Sequence, residues 1–231
     1  MPVNDDQKPY FLSEANNQAI FENDILPLAF AGSEESNRPT AVFLGGQSGS
    51  GKSGLSDYCQ KRLMALGQSK PVVINSDRLR EYHLDFASLQ KTNPQQASYL
   101  VNPDTVRWQR KLIRAAVETR RNLLLDGTLG GAIEPIRETM RWLKQEGYHL
   151  TVSVLSVPAR LSRFGIYKRY EDQLRLGDSG RWVGISTHDQ KRVISFLHDR
   201  HRVQATPYFR RQNRRSLQAG LRAAMCLRVV L

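Results

Sequence analysis

Apolar residues follow two alternating patterns along the middle of the chain: short continuous runs, and longer segments with an apolar residue every three or four positions. The short runs predict buried strands at residues 41–44, 71–74, 122–125 and 150–157. The longer segments predict helices at residues 52–66, 104–119 and 134–146. Because strands alternate with helices, the pattern indicates an α/β fold with a mostly parallel sheet covered by helices on both faces.

The two ends of the chain follow this pattern less closely. Residues 13–30 have apolar residues at helical spacing, which predicts one helix that is interrupted near Pro27. Residues 200–231 contain eight arginines and no acidic residue. We therefore predict a single domain with an N-terminal helical extension (1–38), an α/β core (40–200) and a basic C-terminal tail (201–231).

The distribution of charge argues against a chain that mainly binds nucleic acid. The net charge is +12, but it is only +4 without the arginines of residues 200–231. Sequence-specific nucleic-acid binding is therefore not expected. A basic tail of this kind is most often a solvated surface, or it contacts phosphate or a partner.

Composition also bears on where the protein acts. No segment has the roughly 20 continuous apolar residues that a membrane span needs. The N-terminus, with Asp5 and Asp6, lacks the basic and apolar regions of a signal peptide. Cys59 and Cys226 lie far apart without metal-ligand spacing, so we expect reduced thiols. These features predict a cytoplasmic protein.

A glycine-rich stretch, GGQSGSGKSG at residues 45–54, lies between the first predicted strand and the first predicted helix. It satisfies the motif G-x-x-x-x-G-K-[ST], in which glycines let backbone N–H groups converge on phosphate oxygens. A flexible linker, the alternative, would not require a strand before it and a helix after it. The residues expected to bind ATP are Gly46, Gln47, Ser48, Gly49, Ser50, Gly51, Lys52 and Ser53, the last through Mg²⁺.

Two aspartates follow predicted strands and are candidates for the chemistry of phosphoryl transfer. Asp126 ends the apolar run NLLLD and is expected to hold Mg²⁺, although Asp126 and Gly127 also suit a simple turn. Asp77 lies just past the second strand, where α/β sheets bind their ligands, and can take a proton from an attacking hydroxyl. The alternative is that Ser76 or Asp77 caps the following helix.

Cations are frequent in residues 160–182, which are expected to form a helix, a loop and a second helix. Kinases often use such a lid to bring arginines onto the γ-phosphate. Most charged residues on a helix are merely solvated, so spacing alone does not select among them. The cations of this segment include Arg160, Arg163, Lys168, Arg169, Arg175 and Arg181.

Six segments, in order and spacing, resemble the zeta toxins, which are kinases of bacterial toxin-antitoxin systems: FLGGQSGSGKSGL, INSDRLREYH, NLLLDGT, GYHLTVSVLSVP, YKRYE and RWVGISTHDQ. The resemblance covers residues 40–200 and implies a P-loop kinase fold with a helical lid. It implies ATP-dependent phosphorylation of the 3'-hydroxyl of the sugar in UDP-N-acetylglucosamine, which blocks cell-wall precursor synthesis. It also implies a protein antitoxin that binds near the N-terminal helix.

The resemblance also implies roles for individual residues. Asp77 matches the catalytic base, and Lys52 and Ser53 match the phosphate and magnesium contacts. The clamping arginines of the family correspond to Arg169 and Arg181. Contacts to the sugar nucleotide correspond to Asp77, His83, Arg107 and Thr128.

The sequence departs from the family pattern on the substrate side. Asp126 replaces the glutamate that usually follows the third strand, and Arg110 stands where family members carry a glutamate near the sugar. A packed or hydrogen-bonded role for His83 is as good an interpretation as substrate binding. The basic tail is compatible with adenine binding, with an acidic antitoxin or with partial disorder. Kinase activity on another small metabolite, and a nucleotide-dependent nucleic-acid binder, are the alternative functions.

Overall fold

The computed structural model describes residues 3–127, 133–175, 203–207 and 225–230. The strands are β1 (Thr40–Gly46), β2 (Val72–Asn75), β3 (Leu123–Asp126), β4 (His149–Ser156), β5 (Val203–Pro207) and β6 (Met225–Val230). The helices are α1 (Glu14–Ile20), α2 (Leu26–Phe30), α3 (Lys52–Ala65), α4 (Ser76–Arg80), α5 (Phe86–Thr92), α6 (Ala97–Leu100), α7 (Asn102–Glu118), α8 (Ile133–Gln145) and α9 (Ala159–Arg175). Each strand and helix predicted from apolar spacing in the core is present, with ends shifted by one or two residues.

The six strands form one sheet in the order β2-β3-β1-β4-β6-β5. The first four run parallel to one another, while β6 pairs antiparallel with β4 and β5 antiparallel with β6. The predicted mostly parallel α/β fold is therefore confirmed. Parts of the basic C-terminal segment belong to this sheet, which the sequence did not predict.

Strand β1 lies at the centre of the parallel part, and its alternate residues pack on opposite faces of the sheet. Phe43 belongs to the cluster that includes Trp108 and Leu112 of α7. Leu44 belongs to the cluster on the other face, with Leu55 of α3. Burial on both faces explains why β1 is a continuous apolar run rather than an alternating one.

The N-terminal segment is helical from Glu14 to Phe30, with a π-helical stretch, Phe21–Ile25, between α1 and α2. Ser13 caps α1 by accepting a hydrogen bond from the Asn16 amide. The predicted interruption coincides with the π-helical stretch, since Pro27 lacks an N–H and crowds the carbonyl four residues before it. Nowhere in the described ranges does a helix combine the length and apolarity needed to cross a membrane.

Candidate active site

The glycine-rich stretch forms a loop between β1 and α3 at the carboxyl edge of the parallel strands. Gly49 and Gly51 have φ values of 76° and 94°, a left-handed conformation that favours glycine. Helix α3 begins at Lys52 with no side-chain cap and no acidic residue in its first turn. The first backbone amides of α3 are thus available to an anion, and the positive end of the helix dipole lies at the same place.

The interior of this loop has the features of a phosphate site. Lys52 Nζ donates to the carbonyl oxygens of Gly46 at 2.9 Å and Gln47 at 3.2 Å. Ser50 Oγ is buried and has no hydrogen-bond partner within the part of the chain that the structure describes. A Cβ on Gly46 would lie 3.0 Å from Ser50 Oγ, so a side chain would fill the loop. The loop therefore fits the phosphates of a nucleotide.

Asn75 joins two elements of the site. Asn75 and Asp126 are register partners on β2 and β3, and Asn75 Nδ2 donates to Asp126 Oδ2 at 2.7 Å. Asn75 Oδ1 accepts from the Asp77 amide at 2.8 Å and so caps α4. The alternative interpretation, that Ser76 or Asp77 caps the helix, is wrong, since Asn75 holds that position. The preference of asparagine for the N-cap was the signal in the sequence.

Asp77 lies in the first turn of α4 with its carboxylate 48% exposed. Arg80 Nη1 donates to Asp77 Oδ1 at 2.6 Å, and the Arg80 side chain is only 13% exposed. A largely buried guanidinium at this distance favours the ionised carboxylate, which is the form that accepts a proton. Arg80 was not among the predicted site residues, although its i,i+3 spacing from Asp77 is typical of a helical ion pair.

Asp126 lies half-buried among charges of both signs. Burial raises the pKa of Asp126, and the negative charge of Asp77 raises it further. The charge of Lys52 and the hydrogen bond from Asn75 lower the pKa of Asp126, but the net shift is upward. Asp126 is in register with Leu44 of β1 and Asn75 of β2, the strands that lead into the glycine-rich loop and α4. The residues predicted for phosphate, metal and base chemistry therefore lie at one edge of the sheet.

The residues also fit a magnesium ion. Asp126 and the exposed Ser53 offer the oxygen ligands that Mg²⁺ prefers. Among residues 3–127, 133–175 and the two C-terminal strands, no three histidine, cysteine or acidic side chains cluster as a metal site. Such a cluster is not required, because Mg²⁺ bound with a nucleotide takes its remaining ligands from phosphate and water.

Helix α9 carries the predicted clamp residue Arg169 and packs on the glycine-rich loop. Ser162 Oγ lies 3.0 Å from Gln47 Oε1, within hydrogen-bonding distance. Arg169 is half-buried, two turns further along the same helix. The second predicted clamp residue, Arg181, and the predicted substrate contact Thr128 lie outside the described residues.

His83 lies in the core, beneath the N-terminal segment. Its side chain is fully buried. Nδ1 accepts a hydrogen bond from the Asp85 amide at 3.2 Å, so the ring proton is on Nε2. Nε2 donates to the Tyr10 carbonyl at 3.0 Å. Both ring nitrogens have protein partners. The structure thus favours the packed and hydrogen-bonded interpretation of His83 over substrate contact.

Arg107 is likewise engaged by the N-terminal segment. It donates to the carbonyl oxygen of Leu12, to Asp104 at 2.7 Å and to Glu14, and it lies over the Phe11 ring at 4.7 Å. A cavity of about 240 Å³ lies beside it. The cavity is lined by Val3, Asn4, Gln7, Phe11, Tyr99, Asn102, Pro103, Val106, Arg107 and Arg110.

Comparison with known proteins points to one family. Residues 29–219 match the family model described as Zeta toxin. The toxin zeta of Enterococcus hirae is 31% identical over 156 residues, which cover 66% of this chain and 53% of that protein. The toxin PezT of Streptococcus pneumoniae is 29% identical over 141 residues, covering 61% of this chain and 54% of PezT. The chain thus spans about half the length of the curated relatives that it matches.

The fold has a counterpart among solved structures. A chain from the structural study of the PezAT chromosomal toxin-antitoxin system of Streptococcus pneumoniae aligns with a TM-score of 0.67. The alignment covers 84% of this chain and 75% of that one, with 24% sequence identity. At this identity the likeness concerns the fold alone.

Proposed function

Because the chain belongs to the zeta toxin family, we propose that it is a P-loop kinase that acts as the toxin of a toxin-antitoxin system. The proposed reaction transfers the γ-phosphate of ATP to the 3'-hydroxyl of the sugar in UDP-N-acetylglucosamine or a related UDP-amino sugar. A protein antitoxin and the cytoplasm are the proposed partner and location. Phosphorylation of this precursor would block cell-wall synthesis.

One observation carries the kinase proposal. Lys52 begins α3 after β1, Asp126 ends β3 and Asp77 lies in the first turn of α4 after β2, so all three lie at one edge of the sheet. Asn75 joins the two carboxylates, since it donates to Asp126 and caps the helix that bears Asp77. A kinase needs these three functions together, namely a cation for the phosphates, an oxygen ligand for the metal and a base for the hydroxyl. A flexible linker and a simple Asp-Gly turn would not require that grouping.

The chain's own residues suit the steps of the transfer. In the proposed mechanism, Asp77 accepts the hydroxyl proton as the sugar oxygen bonds to the γ-phosphorus. The bond from that phosphorus to the bridging oxygen breaks, and ADP leaves. Arg80 holds the Asp77 carboxylate in place, and Lys52 and Arg169 offset charge on the transferred oxygens. Ser53 and Asp126 would hold Mg²⁺, which would further neutralise the charge of the phosphates.

The acceptor is the less constrained half of the proposal. Arg110 lines the cavity beside α7 and makes no hydrogen bond or ion pair with any described residue. The resemblance places a glutamate of the family at this position. An unpaired cation in place of a carboxylate favours an acceptor that presents a different polar group to Arg110. A kinase for another anionic metabolite is therefore the second candidate.

A substrate survey tests the proposal. Purified protein is incubated with Mg-ATP and a panel of UDP-sugars, and mass spectrometry looks for the addition of one phosphoryl group. We expect product with a UDP-amino sugar, at least about 100-fold less product in the same time with Asp77→Asn, and normal product with the matched control Asp57→Asn, whose side chain is exposed on α3. ATP binding without product on any UDP-sugar would reject the acceptor and favour the second candidate.

A further inference from the structure

The glycine-rich loop and α9 touch backbone to backbone at two glycines, Gly49 and Gly165. A Cβ at Gly165 would lie 2.1 Å from the carbonyl oxygen of Gly49, and a Cβ at Gly49 would lie 2.1 Å from the carbonyl oxygen of Ser162. Real Cβ atoms essentially never approach other heavy atoms closer than 3.0 Å. The two segments can meet this closely only because both positions lack a side chain.

The contact extends over a full turn of α9. A Cβ on Gly49 would also lie 2.8 Å from the amide nitrogen of Ile166 and 2.9 Å from its Cγ1, and the Ile166 side chain is buried. Ser162 adds its hydroxyl, 3.0 Å from Gln47 Oε1. Backbone, apolar and polar contacts therefore fix this turn on the loop.

The same face of α9 leads to the clamp residue. Ser162, Ile166 and Arg169 are spaced by four and then three positions, which places them along one side of a helix. Arg169 therefore projects from the side that contacts the loop, about one turn beyond Gly165. The separation of the two backbones fixes how far Arg169 lies from any phosphate held by the loop.

A positive φ explains why residue 49 is a glycine, but it does not explain the glycine at residue 165. Gly49 has a positive φ of 76°, whereas Gly165 lies inside α9 and is absent from the positive-φ glycines of the described chain. Within a helix, glycine is less favourable than alanine. A glycine at residue 165 is therefore explained by the close approach alone.

We propose that Gly165 is a positioning residue, which sets the distance between the phosphate-binding loop and Arg169. The inference rests on the proposed function, since phosphoryl transfer is what requires a guanidinium at a fixed distance from the phosphate. The catalytic contact belongs to Arg169. Gly165 acts only by allowing α9 to reach the loop.

The test is Gly165→Ala, for which helix propensity and the contact predict opposite results. Propensity alone predicts a protein that is at least as stable and fully active. The added Cβ must instead move α9 by about 1 Å, for which we expect kcat to fall about 10- to 100-fold. The KM values for ATP and for the acceptor should change by less than about 3-fold, since the binding groups stay in place. The matched control is Phe164→Ala, a 65% exposed neighbour on α9, with unchanged kcat.

A second readout does not depend on catalysis. Hydrogen exchange, followed by mass spectrometry, should become faster in Gly165→Ala for peptides covering residues 45–54 and 159–175, and should not change in Phe164→Ala. If the wild-type protein transfers no phosphate to any acceptor, the proposed function fails, while exchange still tests the contact.

The positioning role is overturned by unchanged kcat in folded Gly165→Ala, whatever the exchange shows. It is also overturned by a fall in kcat without faster exchange in either peptide, because the loss would then not come through the contact. Should Gly165→Ala not fold, Ser162→Ala serves instead, since it removes the hydroxyl near Gln47 and adds no atoms. A kcat lowered a few-fold at constant KM supports the proposal, and an unchanged kcat overturns it.

Discussion

At the residue scale, the site depends on a few side chains that position its two carboxylates. Asn75 donates to Asp126 and caps the helix that bears Asp77. Arg80 binds Asp77 at 2.6 Å, whereas Asp126 is half-buried, lies within the electrostatic influence of Lys52 and has a raised pKa. The two carboxylates are therefore in different electrostatic environments, which suits different roles for a base and a metal ligand.

Replacing Asp126 with asparagine should make the nucleotide-free protein more stable at neutral and alkaline pH. The raised pKa means that the ionised carboxylate opposes folding once the pH exceeds that pKa, and that this penalty is absent in acid, where the group is protonated. We expect a higher Tm for Asp126→Asn than for wild type at about pH 8, and a difference that shrinks toward about pH 4.

Thermal unfolding across pH, with the exposed Asp57→Asn as control, provides the measurement for this prediction. The same Asp126→Asn variant should lose the additional stabilisation that Mg²⁺ gives to the ATP complex, because it lacks the charged oxygen ligand. A lower Tm for Asp126→Asn at about pH 8 would contradict the burial of a charge at this position.

At the element scale, the N-terminal segment is fastened to α7 through Asp104, which is 1% exposed. Asp104 accepts from the Leu12 amide at 3.0 Å, from Asn17 at 2.8 Å and from Arg107 at 2.7 Å. Burial alone would raise the pKa of Asp104, but hydrogen bonds from His83, Leu12 and Asn17, together with the charge of Arg107, lower it overall. A single buried carboxylate thus organises several donors from the segment and the helix.

Asp104→Asn should lower the free energy of unfolding by about 3 kcal/mol, since it removes one partner of a buried ion pair. Because the pKa of Asp104 is lowered, its contribution is fully present above the unfolded pKa and is lost as pH falls through the folded pKa. The difference from wild type should therefore shrink in acid. Urea unfolding at neutral and at acidic pH measures this difference in the free energy of unfolding. The control is Asp85→Asn, because the Asp85 side chain is 49% exposed. An equal loss in the two variants would show that burial of the carboxylate is not the cause.

The positions of the core helices and strands along the chain were the part of the fold that the sequence predicted best. Apolar spacing located α3, α7 and α8 and the four parallel strands, because each is specified by residues close together in the chain. Gly67 and Gly147 end helices as expected, with φ values of 74° and 80°. The helical type of Phe21–Ile25 could not be predicted, since apolar spacing does not distinguish a π-helical turn from an α-helical one.

At the scale of the whole molecule, pairing between distant segments limited the prediction. Strand β6 pairs with β4 from Thr151 with Val230 to Ser156 with Met225, across a long stretch of chain. Its sequence, MCLRVV, is short and contains an arginine, and VQATP of β5 contains a proline. Local pattern gives such runs little strand signal, and it does not identify the strand that they join.

The same limit applies to the site. The loop residues were predicted because Gly46 to Ser53 are contiguous and their motif follows from phosphate chemistry. Asn75 and Gly165 were not, because the role of each depends on a segment far away in sequence. For His83 the sequence left a packed role and a substrate role equally open, and the Tyr10 carbonyl that favours the packed role lies far away in sequence. Residues that act through long-range contacts need the fold before their roles can be inferred.

The central claim is that Asp77 is the base of a P-loop kinase. Its most direct test is to measure ATP affinity and single-turnover phosphoryl transfer in Asp77→Asn, with Lys52→Ala for comparison. Asp77→Asn should bind ATP within about 3-fold of wild type and transfer phosphate about 10²- to 10⁴-fold more slowly. Lys52→Ala should lose both properties. Near-normal transfer in Asp77→Asn, or a parallel loss of ATP binding, would contradict the claim.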